Sequence, residues 1–216
     1  MRIFTNSILL LASLSTISFV AYAEEGDMSL GMYGNVVVSS TGTPSNDVLG
    51  VGLTGSYQLE NSWFVDLELI QSEADFERPW KVLGLQQDTS VKTVDAVYSS
   101  NVVMVQIGQN IKSDSEKYNW YWSAGLGFNS IDVDDVSGQL DGGGTFNIKT
   151  TTNTEAVLGL KAGIKQHLSD NWNINYALRV NRHFADWTVT ETVSNTTAKI
   201  DDYALYGILI GVEKRF

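Results

Sequence analysis

The chain has 216 residues and not one cysteine, so no disulfide can brace it. Only two prolines occur, Pro44 and Pro79, and both sit in stretches that read as loops, as an uninterrupted sheet would require. Basic residues are outnumbered: 14 Lys and Arg stand against 25 Asp and Glu, a formal charge of -11. Such a balance argues against a nucleic-acid partner. Beyond the N-terminal stretch no apolar run approaches the ~20 residues of a membrane helix. That excludes a helical span, but not a sheet whose apolar residues alternate with polar ones.

The N-terminal stretch is of a different kind. Arg2 is followed by an apolar run from Ile8 to Val20, then Ala21-Tyr22-Ala23 and the acidic pair Glu24-Glu25. This is the pattern of a Sec signal peptide over residues 1–23, with the mature chain beginning at Glu24. Residues 24–216 have the length of one domain.

What is abundant is glycine, with 19 residues, and aromatics, with 9 Tyr, 8 Phe and 6 Trp. They fall on a period of two, which is the repeat of a β-strand with two unlike faces. The last stretch, Asp202 to Phe216, shows it best. Ala204, Tyr206, Ile208, Ile210, Val212, Lys214 and Phe216 form one face, and Tyr203, Leu205, Gly207, Leu209, Gly211, Glu213 and Arg215 the other. Similar alternation predicts strands at about 29–38, 48–59, from Trp63, between Val91 and Ile111, from Tyr118, at about 154–168 and from Trp172. That makes eight strands.

The connections alternate in length. Glu60–Ser62, Lys112–Lys117 and Ser169–Asn171 are short, while 39–47, 73–90, 132–152 and 185–201 read as long loops. The short turns are followed by aromatics: Trp63, then Tyr118, Trp120 and Trp122, then Trp172. An aromatic belt at one membrane boundary has this form. A soluble barrel with its apolar face inward is the alternative. It would put many glycines on a solvated face, where they serve no purpose, whereas a crowded lumen needs them. The reading is therefore all-β: an eight-stranded antiparallel up-and-down transmembrane β-barrel, with short periplasmic turns and four long external loops.

The signal pattern, the eight strands, the segment Tyr121-Trp122-Ser123-Ala124-Gly125-Leu126-Gly127-Phe128 and the terminal Phe216 resemble the small OmpA/OmpX-like outer-membrane proteins, the "porin family" barrels. The resemblance implies an integral protein of a Gram-negative outer membrane, in contact with lipid and lipopolysaccharide. It implies that Phe216 is read by the barrel assembly machinery, and that the barrel is a monomer. Lys214 departs from the apolar residue usual two positions before the end, but a lysine at the boundary can snorkel.

Candidates for function follow from the facing. Asp66, Glu68, Glu155, Lys161, Lys165, Arg179, Glu213 and Arg215 point inward, four acids and four bases. They read as a lumen charge network, either a structural plug or a gate for small solutes. Phe76, Trp80, Leu83, Leu85 and Trp187, with Val82 beside them, are apolar loop residues that could bind a surface ligand. No catalytic residue, cofactor or metal is expected. His183-Phe184-Ala185-Asp186 faintly resembles a lipid A deacylase pattern, but Ala185 stands where that family has its serine. His167 and His183 read as lumen or rim residues. The aspartates 132, 134, 135 and 141 lack the spacing of an EF-hand and read as a solvated loop. The function expected is structural and interactive, a membrane anchor that presents surface loops. The alternative is a narrow channel, and a lipid A-modifying enzyme is a weaker third.

Overall fold

A computed structural model describes residues 28–39, 47–75, 97–111, 115, 117–139, 145–152 and 154–216. Residues 1–23, Pro44, Pro79, Phe76, Trp80, Val82, Leu83, Leu85 and Asp141 lie outside the described residues.

Twelve strands follow one another among the described residues: β1 (Met28–Ser39), β2 (Asp47–Gln58), β3 (Trp63–Asp75), β4 (Val97–Ile111), β5 (Tyr118–Val133), β6 (Val136–Gln139), β7 (Thr145–Thr151), β8 (Glu155–Ser169), β9 (Trp172–Phe184), β10 (Trp187–Glu191), β11 (Thr196–Ile200) and β12 (Tyr203–Arg215). Eight of them close a barrel in the order β1-β12-β9-β8-β5-β4-β3-β2, and every neighbouring pair is antiparallel. Closure leaves no strand edge, so the backbone donors and acceptors of the wall pair within it, apart from an irregularity of the β8–β9 ladder between His167 and Ser169.

The outer wall is apolar. Leu126 is 69% exposed, Phe128 66% and Leu178 65%, and Leu30, Val105, Leu160, Ile208 and Ile210 lie in the same skin. Water would not tolerate a patch of this extent. The inner face carries the polar residues and most of the described glycines. A Cβ at Gly52 would strike the ring of Tyr33, and one at Gly159 would stand 2.5 Å from Sδ of Met104. Glycine therefore makes room for large side chains from neighbouring strands, the need inferred from composition.

At one end the strands are joined by short turns. Between β2 and β3 the chain makes a 3-10 turn at Glu60–Ser62, with Asn61 and Ser62 in the left-handed region (φ 58° and 66°). Both residues carry side chains where glycine would be easier, and asparagine tolerates the conformation best. Trp63, Tyr118, Trp120, Trp122 and Trp172 all sit at this end, and Trp63 meets Trp122 edge to face at 5.8 Å. Lys214 points its ammonium over the rings of Trp172 (5.8 Å) and Phe216 (5.0 Å). Its alkyl stem thus lies against the outer wall while its charge stays at the aromatic boundary.

The other end corrects the sequence reading. The stretches 132–152 and 185–201, read as loops, contain four further strands among their described residues. These strands, β6, β7, β10 and β11, form a second sheet of order β11-β10-β7-β6. Each strand prolongs a barrel strand after a short break: β6 prolongs β5, β7 leads into β8, β10 prolongs β9 and β11 leads into β12. The buried face of this sheet carries Phe146, Ile148, Trp187, Val189 and Ile200. It packs on Ile131, Val133, Ala185 and Tyr203, and on Val37 and Val48 from β1 and β2. This sheet grows from one half of the wall and its buried face reaches the first two strands of the other half. We call it the lid.

Candidate functional site

The lumen is where sequence and structure bring polar side chains together. Inward positions on β3, β4, β8 and β9 alternate with the apolar outer skin, so the pleat alone aims Asp66, Glu68, Gln106, Lys161 and Arg179 at one another. Lys161 Nζ lies 2.6 Å from Glu68 and 3.2 Å from Asp66. Arg179 Nη2 donates to Glu68 Oε2, and its Nη1 donates to the Tyr33 hydroxyl at 3.1 Å. Gln106 donates to Glu68 and accepts from Ser123 Oγ at 2.6 Å. Ser56 donates to Asp66. The guanidinium of Arg179 stands over the ring of Tyr33, 5.3 Å from its centroid. Two acids face two bases, and Glu68 at the hub is fully buried. The cluster ties β3 to β8 and β9 across the barrel, so it is a septum rather than a lining.

The eight charged residues expected to form one network form three groups instead. The septum holds Asp66, Glu68, Lys161 and Arg179. Lys165 pairs separately with Glu213 at 2.9 Å, nearer the short-turn end. Glu155 lies toward the lid. Its Oε2 receives His183 Nδ1 at 3.0 Å, the Tyr203 hydroxyl at 3.1 Å and Asn129 Nδ2 at 3.3 Å. The His183 ring stacks flat on Tyr203, with centroids 4.6 Å apart. Arg215 departs from the expectation. It is exposed at the rim, because the wall ends there and its side chain has left the crowded section.

Below the septum the short-turn end opens into a vestibule bounded by Gln58, Asn110, Lys165, His167, Asn173 and Arg215, among others. His167 is held between Asn119 (2.9 Å) and Asn173 (2.7 Å). Above the septum lies the lid. Trp187, expected as an exposed binding residue, is instead 1% exposed at its centre. It occupies an inward position of β10, continuing the inward phase of β9. Asp132, Asp134 and Asp135 are exposed where β5 gives way to β6.

The lid is fastened by a carboxylate. Glu191 accepts from the Ser194 hydroxyl and from the backbone N–H groups of Ser194, Val193 (3.0 Å) and, across on β7, Asn147 (3.1 Å). Burial pushes its pKa up, but the Ser194 hydroxyl and the N–H groups outweigh this and hold the carboxyl at about 2. At the lid's outer face Lys199 pairs with Asp186 at 2.9 Å, which raises the pKa of the lysine.

The partners the sequence reading overlooked are neutral: Gln106, Ser123, Asn129, Tyr33 and Tyr203. Each occupies an inward position of β1, β4, β5 or β12, so the alternation already contained them.

Polar inside and apolar outside, closed by antiparallel pairing of β1 with β12, is the architecture of a barrel set in lipid. The sequence matches the outer membrane protein beta-barrel domain family over residues 7–216. The chain belongs to that family. It is an integral protein of the outer membrane. Among solved structures, the fold is similar to that of OprG from Pseudomonas aeruginosa (TM-score 0.58, 12% identity, 88% of this chain and 96% of that one). It is also similar to Neisserial surface protein A (TM-score 0.54, 14% identity, 88% and 96%). At these identities the likeness concerns the fold alone. A comparison with curated proteins finds no matching sequence.

Proposed function

We propose that this barrel is a surface anchor and not a conduit: it seats in the outer membrane and displays the lid and the long connections outside the cell. In this reading the short-turn end faces the periplasm, with Trp63, Tyr118, Trp120, Trp122 and Trp172 at the inner boundary. The lid faces outward. The outer skin meets lipid and, in the outer leaflet, lipopolysaccharide. Phe216, 55% exposed on that skin, is available to the assembly machinery. A closed wall needs no second copy, so the protein acts as a monomer.

The observation that supports this best is the septum. Lys161, Glu68, Asp66 and Arg179 are all at most 6% exposed and bonded across the bore. An ion moving through would have to separate pairs that have already lost their water. The apolar lid adds a second obstruction. Catalysis on lipid A is disfavoured by the same geometry: His183 faces the lumen, buried under the lid, and not the lipid. Planar-bilayer recording tests the reading. Wild type and Arg179→Ala are both expected to be silent. Steady unitary conductance in wild type, altered by Arg179→Ala, would establish the channel in its place. Unchanged lipid A mass spectra in cells with and without the protein are expected as well.

A further inference from the structure

Four buried polar atoms that have no partner among the described residues belong to residues around one small chamber of the lumen. They are Asn35 Oδ1 on β1 and, on β9, Arg179 Nε, Asn181 Oδ1 and His183 Nε2. All four side chains are more than nine-tenths buried. The chamber lies between the septum and the lid. Arg179 is at its floor, Val37, Val48 and Leu205 belong to the apolar cluster of the lid, and Ser72 and Ser100 complete the polar wall.

The chemistry of these atoms selects the occupant. Arg179 Nε–H can only donate, and the two amide oxygens can only accept. His183 Nδ1 faces the carboxylate of Glu155, which leaves Nε2 toward the chamber in whichever role its tautomer allows. A cation would meet the Arg179 guanidinium, and an anion would meet two amide oxygens. A molecule that both donates and accepts meets neither objection. The free volume open to the centre of a water molecule is about 20 Å³. A single water needs ~10–15 Å³ by the same measure and two to four polar partners, and larger solutes need more. Gly207 keeps the wall clear, since a Cβ there would stand 2.7 Å from Asn35 Oδ1.

We propose that the chamber is a water-binding site, holding one or two waters that hydrogen-bond Arg179 Nε, His183 Nε2, Asn35 Oδ1 and Asn181 Oδ1. The water joins two networks that the protein alone leaves apart. One runs from Ser56 at the vestibule through Asp66, Lys161 and Glu68 to Arg179. The other runs from His183 through Glu155 to Tyr203, which packs under the lid. With water between them, one hydrogen-bonded line crosses the lumen from the vestibule to the lid although no open pore does.

The test uses the full barrel folded in lipid nanodiscs, with water itself as the probe. Magnetisation transfer from water to the Arg179 Nε–H and the His183 ring is expected to show a long-lived contact. Its absence in wild type overturns the proposal. Asn181→Leu fills the chamber with an apolar group. If water is bound there, the transfer signals vanish and the unfolding midpoint falls, because Arg179 and His183 are left without a partner. A raised midpoint with unchanged spectra would mean a dry chamber and overturn the idea. Should Asn181→Leu fail to fold, Gly207→Ala takes space and removes no polar group, although Asn35 must shift away from the new Cβ. Loss of the transfer signals supports the site, and their persistence at full strength refutes it.

Discussion

The septum and the lid close the same bore with opposite chemistry. The septum is ionic and sits where the barrel is surrounded by lipid. The lid is apolar and sits beyond the lipid, where its outer face carries Lys149, Thr188, Thr190, Thr197 and Lys199. On β9 and β10 the change can be followed residue by residue. The buried positions run without a break of phase through Ala177, Arg179, Asn181, His183, Ala185, Trp187, Val189 and Glu191. After Ala177, polar residues fill them as far as His183, and apolar ones from Ala185 to Val189. The outward positions make the reverse exchange, from Leu178 and Val180 to Asp186, Thr188 and Thr190. What surrounds a strand decides which side chains its interior takes. In lipid the apolar groups are turned outward and the inside must be satisfied by pairing. In water the ordinary rule returns.

The comparison predicts unlike responses to damage. The largest effect is expected from Glu68→Ala. It strands Arg179 in the bore and leaves Lys161 with Asp66 alone, and such a loss costs about 3–5 kcal/mol. Urea unfolding in lipid vesicles should show it as destabilisation of the whole barrel. Destabilisation below about 1 kcal/mol would mean that the septum is well hydrated. Trp187→Ala should cost about 3 kcal/mol through the cavity it leaves, but only within the lid. Limited proteolysis should then cut within 185–201, while the unboiled protein still migrates as a folded barrel on SDS gels. If the barrel unfolds with it, lid and wall are one cooperative unit.

Glu191 gives the smallest effect and the clearest sign. Glu191→Gln should loosen the hairpin of β10 and β11 by about 1.5–3 kcal/mol, the range for hydrogen bonds to a charged acceptor. Its folded pKa, about 2, is below the ordinary glutamate value of ~4.3. The carboxylate therefore contributes fully above the unfolded pKa, and its contribution is lost as pH falls through about 2. Amide exchange at Asn147, Val193 and Ser194 should accelerate over that window in wild type. In the glutamine variant it should be fast throughout, with no pH step.

The barrel wall was legible because lipid enforces a strict alternation: Leu158, Leu160 and Ala162 against Glu155, Lys161 and Gly163 predict both the strand and its facing. The lid was not. Phe146 and Ile148, or Trp187 and Val189, alternate just as regularly, but their outward neighbours are Thr, Asn and Lys. Without an apolar outer face these stretches resemble polar loops, although an ordinary two-sided strand in water has that pattern. The charged members of the septum could be named from facing alone. Their division into separate groups could not, because it depends on which strands stand opposite one another across the bore. Arg215 shares the inward phase of Glu213 yet lies past the end of the wall, and alternation carries no information about height.

The pairing of β1 with β12 has one more consequence. Seven of the eight barrel contacts join strands that follow one another along the chain, directly or through a lid hairpin. The eighth aligns Ser29 with Arg215, and Phe216 N–H donates to the carbonyl of Met28 at 2.9 Å. It brings together the two most distant strands of the barrel, so its loop-closure entropy is the largest of the eight. It also gains nothing until the rest of the sheet has curled round to meet it. Assembly should therefore proceed as the growth of an open, curved sheet followed by a single late zippering step. Destabilising this seam should slow the last step and leave the earlier growth of the sheet untouched.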